Sequence, residues 1–333
     1  MDNLPTITKE IAAGKKVILR ADLDVDPEES DFRLKSLLPT LRLLSESKAL
    51  TTIIGHKGRP NGQENLSMSL EPVCAKLSEL LGEKIIFNQQ FSECSFSMME
   101  NLRFEKGEEE NSEELISKIC SYGDIYVNEA FSVSHRKHAS IVGVPQKLNH
   151  YAGLRFQEEV RNLSKLVENP DRPFVVVLGG FKNDKLDYLE GLKEISDKVL
   201  VGGRLPDYMG DLGSVRSVPF SEKVVPGNLI MDKEDISIHT IERFEEEIGK
   251  AKTILLAGPM GKFEEEGHRQ GTSRVVNAII DSNAFKIAGG GDTIQAIETF
   301  KLEERFDYLS VAGGAMLEFL VKKTLPGIEA LIN

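Results

Sequence analysis

Cysteine is scarce in this chain. Three occur among 333 residues, Cys74, Cys94 and Cys120, an odd number without C-x-x-C spacing, so neither a disulfide framework nor a cysteine zinc site fits. What remains is incidental or buried thiols in a reducing compartment. No run of about 18 apolar residues is present to span a membrane. The N-terminus, Met-Asp-Asn-Leu-Pro-Thr, has no basic segment followed by an apolar one, so a targeting leader is not expected. The chain therefore reads as soluble and cytoplasmic, with no membrane partner. Positive charge is in deficit as well: 41 basic against 53 acidic side chains give −12, with a pI near 5.2. Such a molecule repels phosphate backbones, which argues against a nucleic-acid partner but not against a small anion held by a few gathered arginines. Short-period repeats, low-complexity tracts, a Walker A sequence, a G-x-G-x-x-G fingerprint and protein-kinase signatures are all absent; a nucleotide site here must belong to another family.

What is present is ordinary globular material, 40% apolar and 28% charged over 333 residues, a length that favours two domains at about 100–200 residues each. Short β-rich apolar runs at 16–21, 51–56, 84–87 and 125–128, then at 174–178, 199–201, 253–256, 285–288 and 309–311, alternate with amphipathic stretches such as 70–81, 112–120, 240–250 and 271–280. Alternating strand and helix reads as βαβ units, and runs apolar on both faces, such as Phe-Val-Val-Val-Leu, fit parallel sheets covered on both sides. The fold class expected is α/β: two Rossmann-like domains with parallel sheets flanked by helices, joined by an inter-domain helix and hinge. The charged helical stretch after Asn149-His150-Tyr151-Ala152-Gly153 ends near Pro170 and Pro173, so the domains are placed at 1–153 and 173–333 with a bridging helix at 154–172. The last residues are left free to pack back on the first domain. The acidic run Glu108-Glu109-Glu110, with Glu113 and Glu114, is read as a solvated turn and helix start.

In open parallel sheets ligands bind at the carboxyl ends of the strands, and the two halves differ there. The first half carries charge: Arg20-Ala21-Asp22-Leu23-Asp24, then Arg33, His56-Lys57-Gly58-Arg59, Arg103 and His135-Arg136-Lys137-His138. Guanidinium forks at several strand ends suit a multiply charged small anion, since each binds carboxylate or phosphate bidentately. The second half ends its strands in glycine: Gly179-Gly180, Gly202-Gly203, Gly258-Pro259-Met260-Gly261, Gly289-Gly290-Gly291-Asp292-Thr293 and Gly313-Gly314. Glycine lets backbone approach a ligand closely, and a helix that starts at once offers free N–H groups to phosphate. Asp292 is suited to hold Mg²⁺ against those phosphates. Lys182 and Lys185 follow the strand at 174–178 and supply the cations that phosphoryl transfer requires. An anion domain facing a nucleotide domain suggests a small-molecule kinase that closes about a hinge.

On these motifs the chain resembles phosphoglycerate kinases over nearly its whole length. The likeness runs from Lys15 to Asp22 through His56-Lys57-Gly58-Arg59-Pro60, Glu100-Asn101-Leu102-Arg103-Phe104 and 128–138. It resumes at 172–185, at Gly258-Pro259-Met260-Gly261, at 289–293 and at Leu317-Glu318-Phe319-Leu320 with Leu325-Pro326-Gly327. The resemblance implies transfer of a phosphoryl group between 1,3-bisphosphoglycerate with ADP and 3-phosphoglycerate with Mg·ATP, in glycolysis or gluconeogenesis, by a monomer. It implies that Asp22, Asp24, His56, Arg59, Arg103 and Arg136 bind phosphoglycerate. Arg33 would hold the substrate carboxyl and steady the moving phosphoryl group. Lys182 would hold the phosphates, Lys185 would meet the phosphoryl group, Asp292 would hold Mg²⁺ and Glu264 would reach the ribose. Gly180, Gly203, Gly290, Gly291 and Thr293 would complete the ATP/ADP site, with Gly291 among the catalytic positions.

The departures cluster. Asp24 stands where the family usually has Asn, which should weaken anion binding unless it is protonated or paired, for example to Arg20. Lys182 and Lys185 are one residue closer than usual, a shift of about 100° on a helix. Ala257, Arg204 and Ala312 replace usual Asn or Gly residues, and the chain is shortest between Arg204 and Ile236, where the family builds much of its adenine pocket. Beside the kinase, two readings stay open: a related binding or regulatory protein with weak or no transfer, and a kinase of the same fold with another acid or nucleotide.

Overall fold

Strands that are apolar along their length need cover on both faces. The computed structural model, which describes residues 4–89, 95–209 and 222–332, provides it with two parallel sheets. Cys94 and the middle of the shortened segment, 210–221, lie outside the described residues. The strands are β1 (Lys16–Arg20), β2 (Leu50–Ile54), β3 (Ile85–Phe87), β4 (Phe96–Met98), β5 (Ile125–Asn128), β6 (Asn149–Ala152), β7 (Phe174–Leu178), β8 (Lys198–Val201), β9 (Val224–Pro226), β10 (Thr253–Ala257), β11 (Phe285–Gly289) and β12 (Tyr308–Ser310). The first sheet runs β3-β4-β2-β1-β5-β6 and the second β12-β11-β10-β7-β8-β9. Every residue of β7 and β10 is buried, as sheets covered on both faces require.

The winding reverses between β1 and β5 of the first sheet, which has a second reversal between β4 and β2, and once in the second sheet, between β7 and β10; read from the β9 edge the second has the dinucleotide-fold order 3-2-1-4-5-6. Registers bring the strand ends level: Arg20 lies opposite Asn128, and Leu178 opposite Ala257. Ligand chemistry is expected in the crevices outside those two pairs of ends.

The covering helices follow the 3.6-residue pattern. Ile238–Lys250 buries Thr240, Ile241, Phe244 and Ile248 along one stripe, and Ser237 caps it by accepting from the Thr240 N–H. Val73, Cys74 and Leu77 of Glu71–Leu81 enter the first core with Val17, Leu19, Leu41 and Ile53; Val175, Leu200, Phe244, Ile254 and Val275 lie in the second. The chain divides into two compact units after Arg161, within the helix Leu154–Glu168, and residues from Thr324 onward belong to the first unit.

Candidate active site

In the first unit, β1 ends in a fully buried arginine. Arg20 donates through Nε to Ser140 Oγ (2.8 Å), through Nη1 to the Ala21 carbonyl (2.6 Å) and through Nη2 to His56 Nδ1 (2.9 Å). A guanidinium only donates, so His56 Nδ1 accepts, and the neutral ring carries its proton on Nε2. Burial, then the charges of Arg20, Arg103, His138 and Arg33, hold His56 well below the usual histidine range; the ring is a neutral donor at physiological pH. His138 is pushed down to about 4, first by burial and then by Arg103 and Arg20.

Asp22 is buried, and its Oδ1 lies 3.5 Å from Arg33 Nη1 while Oδ2 has no hydrogen-bond partner among the described residues. Arg33 also donates to the Asp24 carbonyl at 3.0 Å. The Asp24 carboxylate is not paired with Arg20, which directs Nε, Nη1 and Nη2 to Ser140, Ala21 and His56. Its Oδ1 accepts the Gly58 N–H at 2.8 Å and its Oδ2 lies 3.8 Å from His56 Nε2. Gly58 has φ of 64°, a conformation glycine reaches without steric cost, and its carbonyl accepts Arg103 Nη1 at 2.7 Å. Asn101 steadies the same turn, donating to the Lys57 and Met68 carbonyls and accepting from the Arg103 N–H. Arg59 and Arg136 are exposed, and neither guanidinium is hydrogen-bonded or ion-paired among the described residues. Arg33, His56, Arg103 and Asp22 are thus anchored by the fold, while Arg59 and Arg136 remain available to an incoming anion.

One expectation is overturned here. Glu108 is not solvated: it has no exposed surface. Its Oε1 accepts the Ser140 hydroxyl at 2.6 Å and its Oε2 the Ser140 N–H at 3.0 Å. Nothing in a run of three glutamates distinguishes the one that turns inward, and Ser140 carries no signal either.

In the second unit, the glycine-rich strand ends serve two purposes. At Gly203, with φ of 59°, a Cβ would lie 2.4 Å from the Gly180 nitrogen, and at Gly258 one would lie 2.1 Å from the Gly179 carbonyl oxygen. These glycines let the ends of β7, β8 and β10 pack backbone against backbone. Gly291 is different: a Cβ there would meet nothing within 4 Å. It opens the helix Gly291–Phe300, whose first residues include exposed Asp292 and buried Thr293, and whose cap position, Gly290, brings no side chain. The first-turn N–H groups lack helical acceptors, and the helix dipole favours an anion there. Beside it is a cavity of about 300 Å³ lined by Phe181, Pro259, Phe263, Glu264, Glu265 and Asp292 among others.

Lys185 reaches the point where this sheet reverses. Its Nζ donates to the Gly179 carbonyl (2.9 Å) and the Ala257 carbonyl (3.0 Å), leaving one of three ammonium protons for another acceptor. Burial lowers its pKa, opposed by the Asp292 and Asp184 charges. Lys182 is exposed at the start of the 3₁₀ turn Asn183–Tyr188. That turn corrects the helical estimate of lysine spacing, because each residue there advances about 120° rather than 100°. Arg204 directs its guanidinium toward Asp207 and Glu234, both at 3.9 Å, while its N–H donates to the Gly180 carbonyl at 2.9 Å.

A family profile described as phosphoglycerate kinase matches residues 7–209 and 215–323. The chain belongs to the phosphoglycerate kinase family. It is 35% identical to the phosphoglycerate kinase of Thermosipho africanus and 34% identical to that of Dictyoglomus turgidum, each over 96% of both chains. The first of these alignments extends over 384 positions, more than the 333 residues present, so gaps fall in this shorter chain. Among solved structures, the phosphoglycerate kinase of Coxiella burnetii superposes with a TM-score of 0.77 at 32% identity over 99% of this chain and 98% of that one. The enzyme of Pyrococcus horikoshii gives 0.83 at 28% identity over 96% of each. As a member of this family the chain is a phosphotransferase of two α/β units. No helix among the described residues is long and apolar enough to cross a membrane.

Proposed function

We propose that this chain transfers a phosphoryl group reversibly between 1,3-bisphosphoglycerate with ADP and 3-phosphoglycerate with ATP, acting as a monomer with phosphoglycerate at the charged strand ends of the first unit and nucleotide at the glycine-rich ends of the second. The observation that carries the division of labour is the contrast between those ends: anchored and free guanidinium groups on one sheet, an open helix N-terminus beside a cavity on the other. Arg59 and Arg136 bind the phosphate of 3-phosphoglycerate with His56 Nε2–H and Arg103. The unpartnered Oδ2 of Asp22 accepts the substrate hydroxyl, and Arg33 holds the carboxyl group.

The acceptor is a carboxylate, which has no proton to lose at neutral pH. The site therefore needs no general base, consistent with a histidine that is buried, neutral and a donor. The work left for the protein is orientation and charge neutralisation. On the nucleotide side the N–H groups of Gly291, Asp292 and Thr293 receive phosphate oxygens, Gly180 and Gly290 give them room, and Lys182 and the remaining proton of Lys185 meet the transferring group. Gly203 contributes by keeping the strand ends packed, and Glu264 reaches the ribose from the cavity wall. No cluster of three or more His, Cys, Asp or Glu side chains is arranged for a metal among the described residues. A single exposed carboxylate at Asp292 fits Mg²⁺, which takes most of its ligands from water and phosphate. When bound, Mg²⁺ neutralises charge on the phosphate oxygens.

ATP consumption coupled to 3-phosphoglycerate and Mg²⁺ tests this reading, with Arg33→Ala and Lys182→Ala as controls. Turnover in the parent and its collapse in both variants is the expected result. Phosphoglycerate binding without turnover would instead identify a binding protein of the same fold, and turnover only with another acid or nucleotide would identify a kinase of altered specificity. The charge of Asp24, which favoured those rivals, is engaged by the Gly58 N–H.

A further inference from the structure

Four polar groups behind the phosphoglycerate site form one continuous chain. Glu108, without exposed surface, accepts the Ser140 hydroxyl proton at 2.6 Å. A carboxylate accepts only, so Ser140 Oγ donates there and uses a lone pair to accept Arg20 Nε–H at 2.8 Å. Arg20 in turn donates to His56 Nδ1 at 2.9 Å. The hydrogen-bond direction is thus fixed at every link, and the last link leaves the proton of His56 on Nε2. The buried positive charge of Arg20 also requires a counter-charge nearby, and among these groups Glu108 is the anion.

We propose that Glu108 is a positioning residue: through Ser140 and Arg20 it fixes His56 in the Nε2–H form that donates to the substrate. This rests on the proposed phosphoglycerate site only for its effect on catalysis; the tautomer itself is a property of the free protein. Glu108 touches no substrate. It acts by denying Arg20 the freedom to turn away from Nδ1, and by keeping Ser140 an acceptor toward Arg20. The Ser140 backbone is held separately, since its carbonyl accepts the Tyr126 hydroxyl at 2.6 Å; loss of Oγ alone therefore leaves the chain path in place.

The test is the ¹⁵N spectrum of the histidine ring in the full-length protein, with and without substitution, together with steady-state kinetics. The parent is expected to show His56 protonated at Nε2 and unprotonated at Nδ1. Ser140→Ala and Glu108→Gln are both expected to mix the two tautomers. They should raise KM for 3-phosphoglycerate about tenfold, the scale of one charge-assisted hydrogen bond, with KM for ATP unchanged. A parent ring protonated at Nδ1 overturns the proposal directly. So do folded variants that keep both the parental tautomer and the parental KM. If Glu108→Gln does not fold, Ser140→Ala decides alone, and the parent spectrum stands in either case. A parent that shows the Nε2–H ring but does not turn over 3-phosphoglycerate contradicts the proposed function and leaves the positioning chain intact.

Discussion

Single residues divide here into those the fold holds and those left free. Arg103 is buried and tied to Gly58, whereas Arg136 is exposed and unpaired among the described residues. Substituting Arg136 therefore removes no internal contact and should spare stability. Arg136→Ala is expected to weaken 3-phosphoglycerate binding about 10- to 100-fold, as loss of a hydrogen bond to a charged group does, with nucleotide affinity unchanged; calorimetric titration of each ligand reads both. Equal losses would contradict the assignment of the two ligands to different units. The sequence made the arginines legible because a cation at a strand end is conspicuous in a chain of net charge −12. It could not make Glu108 or Ser140 legible, since their roles come from burial against Arg20, residues far away along the chain.

Among the elements, the helix Leu154–Glu168 begins under a buried carboxylate. Glu129, just past β5, accepts the N–H groups of Arg155 (3.1 Å) and Phe156 (2.8 Å) and the hydroxyl of Thr40. Gly153 leaves the room it needs, because a Cβ there would lie 2.1 Å from Glu129. Burial raises the Glu129 pKa from 4.5 to about 7, against the pull of its hydrogen bonds. With the folded value above the unfolded one, the stability it contributes through protonation is whole below 4.5 and is lost as pH rises through about 7. Glu129→Ala is expected to lower the melting temperature of the first unit by about 2–8 °C, the effect of losing a cap worth about 1–2 kcal/mol, with a larger deficit at pH 5.5 than at pH 8.5. Thermal melts of both proteins across that range check the sign; a deficit that grows toward high pH would refute it. Strand placement was legible wherever an apolar run continued for several residues. β6, Asn-His-Tyr-Ala, and β9, Val-Val-Pro, are edge strands without such a run, and β4, Phe-Ser-Met, is short and centred on serine. Their pairing partners, not their own composition, make them strands.

At the scale of the whole molecule, the chain's end belongs with its beginning. The helix Pro326–Ile332 buries Ile328 and Leu331, and the Gly327 N–H donates to the Ser134 carbonyl at 2.8 Å. Two buried aliphatic side chains stabilise by about 1.5–3 kcal/mol each, a large share of a domain's usual 5–15 kcal/mol. Truncation after Lys323 is expected to cost hydrogen-exchange protection across residues 134–152 while leaving 253–289 as protected as before. Unchanged protection near Ser134 would show that the terminal helix is dispensable.

Charge is distributed unevenly between the halves: residues 1–155 carry 19 basic and 23 acidic side chains, 19 − 23 = −4, and the remaining residues 22 and 30, 22 − 30 = −8. The order of residues along the chain determined that much, together with the α/β class, the alternation of strands and helices and the residues at most strand ends, because periodicity and charge are local properties of the chain. Tertiary structure alone decided where each sheet reverses, which glycines are needed for packing and which leave room for a ligand. It also decided which nitrogen of His56 holds the proton. Those outcomes depend on what lies across the sheet or behind the side chain, and the neighbours that decide them, Ser140 for Arg20 or Gly179 for Gly258, are distant along the chain and meet only when it folds.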